Sequence, residues 1–232
     1  MPDIIAIGGG QASFSFINKL RLLGCKKSIT LICGENFLPY QRPPLSKKFL
    51  IGDLEKERLF LKPQSFYNEN NVEVIKGQNV QKIDRKTSKV LLDNGQSLEY
   101  KKLFLGLGSK PRFLPRKLID GISDIHYIRN IEDVDLIINK LLSKRKILIL
   151  GGGFIGLEVA SVARKLGLEV TLIESQERIL KRSSSEIVAN YIKDIHVSNG
   201  VIIKERTTVK KFISNKQEFL GILTNSGEEI FA

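Results

Sequence analysis

Cysteine and histidine are scarce in this chain, two of each in 232 residues, at Cys25, Cys33, His126 and His196. Seven residues lie between the cysteines, so they form neither a CxxC redox pair nor a metal-ligand cluster. The histidines fall in no triad pattern, and no metal site is expected from so few scattered ligands. Both thiols read as buried side chains of a reducing compartment. Long apolar runs are missing too. No stretch approaches the length of a membrane span, and the N-terminus enters a strand with no basic region or cleavage site before it, so the expected location is the cytoplasm. Lys+Arg 37 against Asp+Glu 25 gives a net charge of +12, a sign that suits nucleic acid, an anionic membrane surface or an acidic protein. The basic residues are spread, however, in pairs such as Lys26-Lys27 and Lys210-Lys211. With no basic helix and no aromatic-rich nucleic-acid motif they read as solvated lysines, and neither nucleic acid nor membrane is expected as a partner.

What the chain does have is glycine in a particular place, twice. Lys146 to Glu158 reads KILILGGGFIGLE, an apolar run set against Gly151-x-Gly153-x-x-Gly156 and continuing into an apolar-periodic segment. That is a strand, a tight turn and a helix start. In such a turn, backbone N–H groups at a helix N-terminus can face a pyrophosphate, while the glycines permit the bend, the ligand's approach and close helix packing. The next apolar run, Val170 to Ile173, ends in Glu174, the acidic residue expected about 20 positions on. A carboxylate there accepts ribose hydroxyls and repels a 2′-phosphate.

The chain begins with the same construction. Asp3 to Leu23 runs from an apolar strand through Gly8-x-Gly10-x-x-Ser13 into a helix with Ala12, Phe16, Leu20 and Leu23 on one face. Ser13 stands where the third glycine belongs and is small enough to keep the motif. Ile29 to Cys33 is the second strand, and Glu35 follows it at the ribose-binding position. A proline-bearing connector, residues 34 to 50, then precedes a short helix. Strands are expected in Val72 to Asp84, on either side of Gly77. Lys89 to Asp93 and Gln96 to Tyr100 flank Asn94-Gly95, a hairpin signal, and Lys102 to Leu107 is a further strand. An acidic opening at Glu132, Asp133 and Asp135 leads a helix through Leu142. A second helix is expected from Ser185 to Ser198, closed by Asn199-Gly200, with strands at Thr207 to Ile213 and Glu218 to Thr224. The fold class is α/β, with two Rossmann-like three-layer units and a β-meander in the first. Gly8 and Gly151 are 143 residues apart, too far for a solenoid repeat.

Two segments, LPYQRPPLSK at Leu38 to Lys47 and GGGFIGLEVA at Gly151 to Ala160, carry a resemblance that extends over essentially the whole chain. It resembles the FAD-dependent NADH:ferredoxin reductases of bacterial dioxygenase and cytochrome P450 systems, the rubredoxin and putidaredoxin reductase type of the pyridine nucleotide-disulfide oxidoreductase superfamily. The resemblance implies an FAD-binding domain at residues 1–113 and an NAD-binding domain at residues 114–232. In the first, Gly8, Gly10, Ala12 and Ser13 would face the FAD pyrophosphate, Glu35 the ribose, and Arg42 and Pro43 the adenine side. Val80 would line the adenine through the meander, Lys47 would reach the isoalloxazine, and Arg129 would contact FAD from the second domain. In the second, Gly151, Gly153 and Gly156 would cradle the NADH pyrophosphate and Glu174 its ribose. Ile155 and Glu158 would lie where nicotinamide meets flavin, and Arg182 at the adenosine part. Lys47 and Glu158 are the residues implied nearest the chemistry.

The implied activity passes hydride from NADH, preferred over NADPH, to FAD, and electrons on to a ferredoxin-like iron–sulfur protein. A peroxide-reducing relative would carry a reactive cysteine near residue 45, where this chain has Leu45-Ser46-Lys47. Two departures stand out. The family's Ala-Thr-Gly turn is here Gly106-Leu107-Gly108, and the FAD fold's closing segment and the C-terminal interface domain are expected to be missing beyond Ala232. The alternative reading is accordingly a non-catalytic nucleotide-binding fragment or interaction module.

Overall fold

Alternate residues of the first strand face two different cores. In the computed structural model, which describes residues 2–232, β1 (Ile4–Ile7) is buried along its whole length. Ile4 and Ala6 pack with Phe14 and Ile17 of α1 (Gln11–Leu22), while Ile5 and Ile7 pack with Val90 and Leu92. With period-2 side chains a strand buried on both sides must be continuously apolar, as IIAI is. Beside β1 lie β2 (Ile29–Ile32) and, outside it, β3 (Val72–Ile75). The helix α2 (Gln64–Glu69) leads into β3. The meander is β4 (Val80–Asp84), β5 (Lys89–Leu92) and β6 (Ser97–Glu99), antiparallel throughout. β7 (Lys102–Leu105) then returns to pair in parallel with β1, giving a sheet of order β3-β2-β1-β7. Helix, parallel sheet and meander are the three layers.

At Asn94-Gly95 the hairpin closes through a three-residue loop. Gly95 N–H donates to the Leu92 carbonyl at 3.1 Å and Gly95 has φ +85°. This is a turn followed by one left-handed glycine, a geometry suited to the strands' twist. The α1 face differs from the sequence expectation. Its buried residues are Ser13, Phe14 and Ile17, with Phe16 and Leu20 partly buried, whereas Ala12 is exposed and Leu23, past the helix end, is 69% exposed. The cause is Ser13: the third motif position is the one that touches the sheet, so it and Ile17 set the inner face. Cys33 is buried as expected, but Cys25, in the loop after α1, is partly exposed.

After the short α3 (Arg116–Ile119), α4 (Ile131–Ser143) starts with a capping box: Asn130 accepts from Asp133 N–H at 2.7 Å, and the Asp133 carboxylate accepts from Asn130 N–H at 3.0 Å. β8 (Lys146–Leu150), α5 (Phe154–Lys165) and β9 (Glu169–Ile173) form the second strand–helix–strand unit. α6 (Glu186–Ser198) is capped by Ser185 and stops at Gly200, whose φ is +82°. β10 (Val201–Lys204), a strand the sequence reading did not assign, pairs in parallel with β9 and completes the order β10-β9-β8. β11 (Val209–Asn215), β12 (Glu218–Thr224) and β13 (Glu229–Phe231) form an antiparallel sheet. Its Phe212, Ile222 and Ile230 bury Ile173 of the parallel sheet.

The chain divides into two compact units, one running up to Arg42 and including Glu55–Lys110, the other comprising Pro43–Leu54 and Pro111–Ala232. The sequence-based boundary after residue 113 differs mainly in the segment Pro43–Leu54, which groups with the second unit.

Candidate functional site

Among the described residues, four helices are long enough for their N-termini to matter, and they fall into two kinds. α4 and α6 begin under a side-chain cap, Asn130 or Ser185, with acidic residues in the first turn. α1 and α5, the helices that follow the glycine turns, have neither a side-chain cap nor a first-turn acid. Their leading N–H groups therefore keep the orphan donors and positive dipole end that a helix presents to an anion.

The glycines keep that ground open. Gly8 and Gly151 have φ of +108° and +111°, a region that disfavours any side chain. Their N–H groups donate across to the ends of the second strands, Gly8 to the Ile32 carbonyl and Gly151 to that of Ile173, each at 2.8 Å. Gly10 and Gly153 are the N-cap residues, and a Cβ on either would meet no atom within 4 Å. The protein thus leaves empty, in both units, the space a side chain would fill before the helix. Gly156 is required for packing, since a Cβ there would collide with the Gly151 carbonyl. Ser13, its counterpart, is fully buried with no hydrogen-bond partner for its hydroxyl, and Gly106 lies directly against that oxygen.

Each unit also places an acid beyond its second strand, held differently. Glu174 accepts from Gly152 N–H and Gln176 N–H, both at 2.7 Å. Glu35 is gripped by side chains: Tyr40 donates its phenol to Oε2 at 2.5 Å, and Arg42 donates to Oε1 at 2.5 Å and to the Tyr40 oxygen at 2.9 Å. Tyr40 is 2% exposed; the sequence reading did not single it out, although LPYQR contains it. Since a carboxylate offers about four acceptor sites, both acids retain capacity for ligand hydroxyls. Neighbouring Cys33 is no reactive thiol, because burial first and the charge of Glu35 second push it up to about 12.

The second cluster lies wholly in the second unit. Lys47 Nζ meets Glu158 Oε1 at 2.8 Å and donates to the Pro43 carbonyl at 3.2 Å, so the two residues implied nearest the chemistry are paired. Glu158 is the fifth residue of α5, past its first turn. The helix dipole alone therefore does not account for an acid there. Ser46 does hold it: its hydroxyl, on a residue 4% exposed, donates to Glu158 Oε2 at 2.5 Å.

The remaining candidates lie on different elements. Ile155 is exposed on the first turn of α5, and Arg182 is exposed ahead of α6. Val80 packs against the core formed by Ile5, Ile7 and Val90. Arg129 donates its backbone N–H to Asp133 at the start of α4. Among the described residues no cluster of His, Cys, Asp or Glu could hold a metal ion.

Comparison with known proteins agrees with this fold. The family model described as pyridine nucleotide-disulphide oxidoreductase matches residues 2–232. A rhodocoxin reductase of Rhodococcus erythropolis is 36% identical over 232 residues, which are 99% of this chain and 54% of that protein. A putidaredoxin reductase of Pseudomonas putida is 31% identical over 232 residues, 98% of this chain and 55% of that protein. The crystal structure of a covalent putidaredoxin reductase–putidaredoxin complex matches with a TM-score of 0.94 at 30% identity, covering 100% of this chain and 56% of that one. The chain spans about half the length of the curated relatives it matches. With the family match extending from residue 2 to residue 232, the chain belongs to the pyridine nucleotide-disulphide oxidoreductase family.

Proposed function

We propose that the chain acts as a flavoprotein oxidoreductase in which the first unit binds FAD, the second binds NADH, and electrons leave to a ferredoxin-like iron–sulfur protein. The observation that carries the reading is the pair of uncapped, glycine-opened helix N-termini, each with an acid past the neighbouring strand. The names of the similar proteins, reductases of rhodocoxin, putidaredoxin and rubredoxin, support the choice of acceptor class. Cys25 and Cys33 are both free, and nothing in the reading asks for paired thiols.

In the first unit the fit to a dinucleotide rests on Gly8, Gly10, Ala12 and Ser13 around the α1 N-terminus, with Glu35 braced by Tyr40 and Arg42 to take the ribose. Arg42 and Val80 would serve the adenine. In the second, Gly151, Gly153 and Gly156 hold the pyrophosphate and Glu174 the ribose, where its charge disfavours a 2′-phosphate and so selects NADH. Ile155 and Arg182 would complete that site. When bound, FAD supplies a ring that takes two electrons together and passes them on singly. Lys47 contributes an ammonium that stabilises negative charge developing beside it, and Glu158 fixes where that ammonium sits. The proposed location is the cytoplasm; among the described residues no helix is long and apolar enough to cross a membrane.

Separate titrations of the purified chain test the two sites. FAD should be taken up with quenching of flavin fluorescence, and NADH should bind saturably with a change in nicotinamide fluorescence. A chain that binds neither would end this reading.

A further inference from the structure

We propose that Ser46 is a positioning residue for Glu158, so that two consecutive residues of one turn, Ser46 and Lys47, hold the two oxygens of a single carboxylate. This rests on the functional reading above. Ser46 Oγ donates to Oε2 at 2.5 Å and Lys47 Nζ meets Oε1 at 2.8 Å. The two grips differ in kind. Lys47 is half exposed, with its side chain 49% accessible, and an exposed ion pair by itself fixes a long, mobile side chain poorly. The serine is 4% exposed, on a short side chain with one rotor, and it reaches a residue 112 positions away. Its turn is stiff. Pro43 and Pro44 open the 3-10 segment Pro43–Ser46, and the Pro44 carbonyl accepts from both Lys47 N–H and Phe49 N–H at 3.0 Å.

Because a hydroxyl has a single proton, donating it to Oε2 commits Glu158 to the acceptor role on that side. The carboxylate then has its plane set by Ser46, its charge matched by Lys47, and lone pairs left for a donor on the nicotinamide nucleotide. Without the hydroxyl, Glu158 can turn about its terminal torsion and Lys47 loses its fixed partner.

Two measurements on the full chain decide the matter. In a double-mutant cycle, Ser46→Ala and Glu158→Ala are each expected to lower the urea midpoint of the second unit, and the double variant should lie no lower than Glu158→Ala alone, because both remove one interaction. NADH affinity should fall about tenfold in Ser46→Ala, the scale of one charge-assisted hydrogen bond, and stay within about threefold of the parent in Ser46→Thr, which keeps the hydroxyl. Midpoint shifts that add, or Ser46→Ala binding NADH like the parent, would overturn the assignment. A parent chain that binds no NADH while the cycle still shows coupling would sink the functional reading and leave the Ser46–Glu158 link standing.

Discussion

Ser13 and Gly106 fit each other: the serine that stands at the third motif position packs its hydroxyl against a residue with no side chain, just past the end of β7. The two accommodate each other, since a Cβ on Gly106 would run into the Ser13 oxygen. Gly106→Ala is therefore expected to destabilise the first unit by roughly 1–3 kcal/mol through overpacking, and the added substitution Ser13→Gly should restore most of the loss. Urea unfolding of the two single variants and the double variant checks this; equal losses with and without Ser13→Gly would refute it.

A second pairing runs between the units' internal designs. Arg21 and Arg164 are also 143 residues apart. Arg21 donates from Nε to the Asn70 carbonyl at 2.7 Å and from Nη1 to that of Cys25 at 2.7 Å; Arg164 donates from Nε to Asn199 at 2.8 Å and from Nη1 to Leu168 at 2.5 Å. In each unit the last turn of the motif helix is thus tied to the loop after it and to the entry of the third parallel strand. Truncating either arginine to alanine should cost roughly 1–3 kcal/mol by stripping charged donors from those carbonyls. Hydrogen exchange should speed up at β10 but not β3 for Arg164→Ala, and at β3 but not β10 for Arg21→Ala.

The open N-cap glycines permit a matched experiment. A Cβ on Gly10 or Gly153 meets no protein atom within 4 Å, so alanine at either should change stability by about 1 kcal/mol or less. It should still weaken a bound pyrophosphate, whose close approach needs the bare backbone. Gly10→Ala is expected to lower FAD affinity at least tenfold and leave NADH unchanged, and Gly153→Ala to do the reverse. Fluorescence titration of each variant with each nucleotide reads this out.

Asp3 sets a pH dependence. Its carboxylate accepts from Lys101 Nζ at 2.7 Å, from Ser28 Oγ at 3.1 Å and from Ser28 N–H at 3.2 Å. These bonds, that of Lys101 foremost, lower its pKa from 3.8 to about 2. A carboxylate depressed in the folded state stabilises the fold above its unfolded value and loses that contribution as pH falls through the folded one. Asp3→Asn should therefore lower Tm at pH 7, by an amount that shrinks between about pH 4 and pH 2 and vanishes below. Thermal unfolding across that range is the check; a Tm difference that grows on acidification would contradict it.

Much of this was legible in the sequence where the signal is local. Both glycine turns, Glu35, Glu174 and the ends of α4 and α6 follow from residues within a turn or two of one another. β10 was not legible, because VIIK follows the Gly200 stop too closely to show any periodicity of its own. The α1 face was misjudged because apolarity alone assigned it, whereas buried Ser13 sets the inner side. Ser46 and Tyr40 were out of reach for a different reason. Serine and tyrosine carry no sign of their partner, and Ser46 finds its own 112 residues away. Local pattern identified the glycine turns, and tertiary contacts alone showed what braces the acids beside them.

The central claim is that this chain joins a flavin to a nicotinamide nucleotide. Purified protein supplied with FAD and freed of excess should hold a yellow chromophore, and anaerobic NADH should bleach its visible flavin band, with NADPH far less effective. A chain that retains FAD yet keeps its flavin band unchanged in saturating NADH would contradict the account.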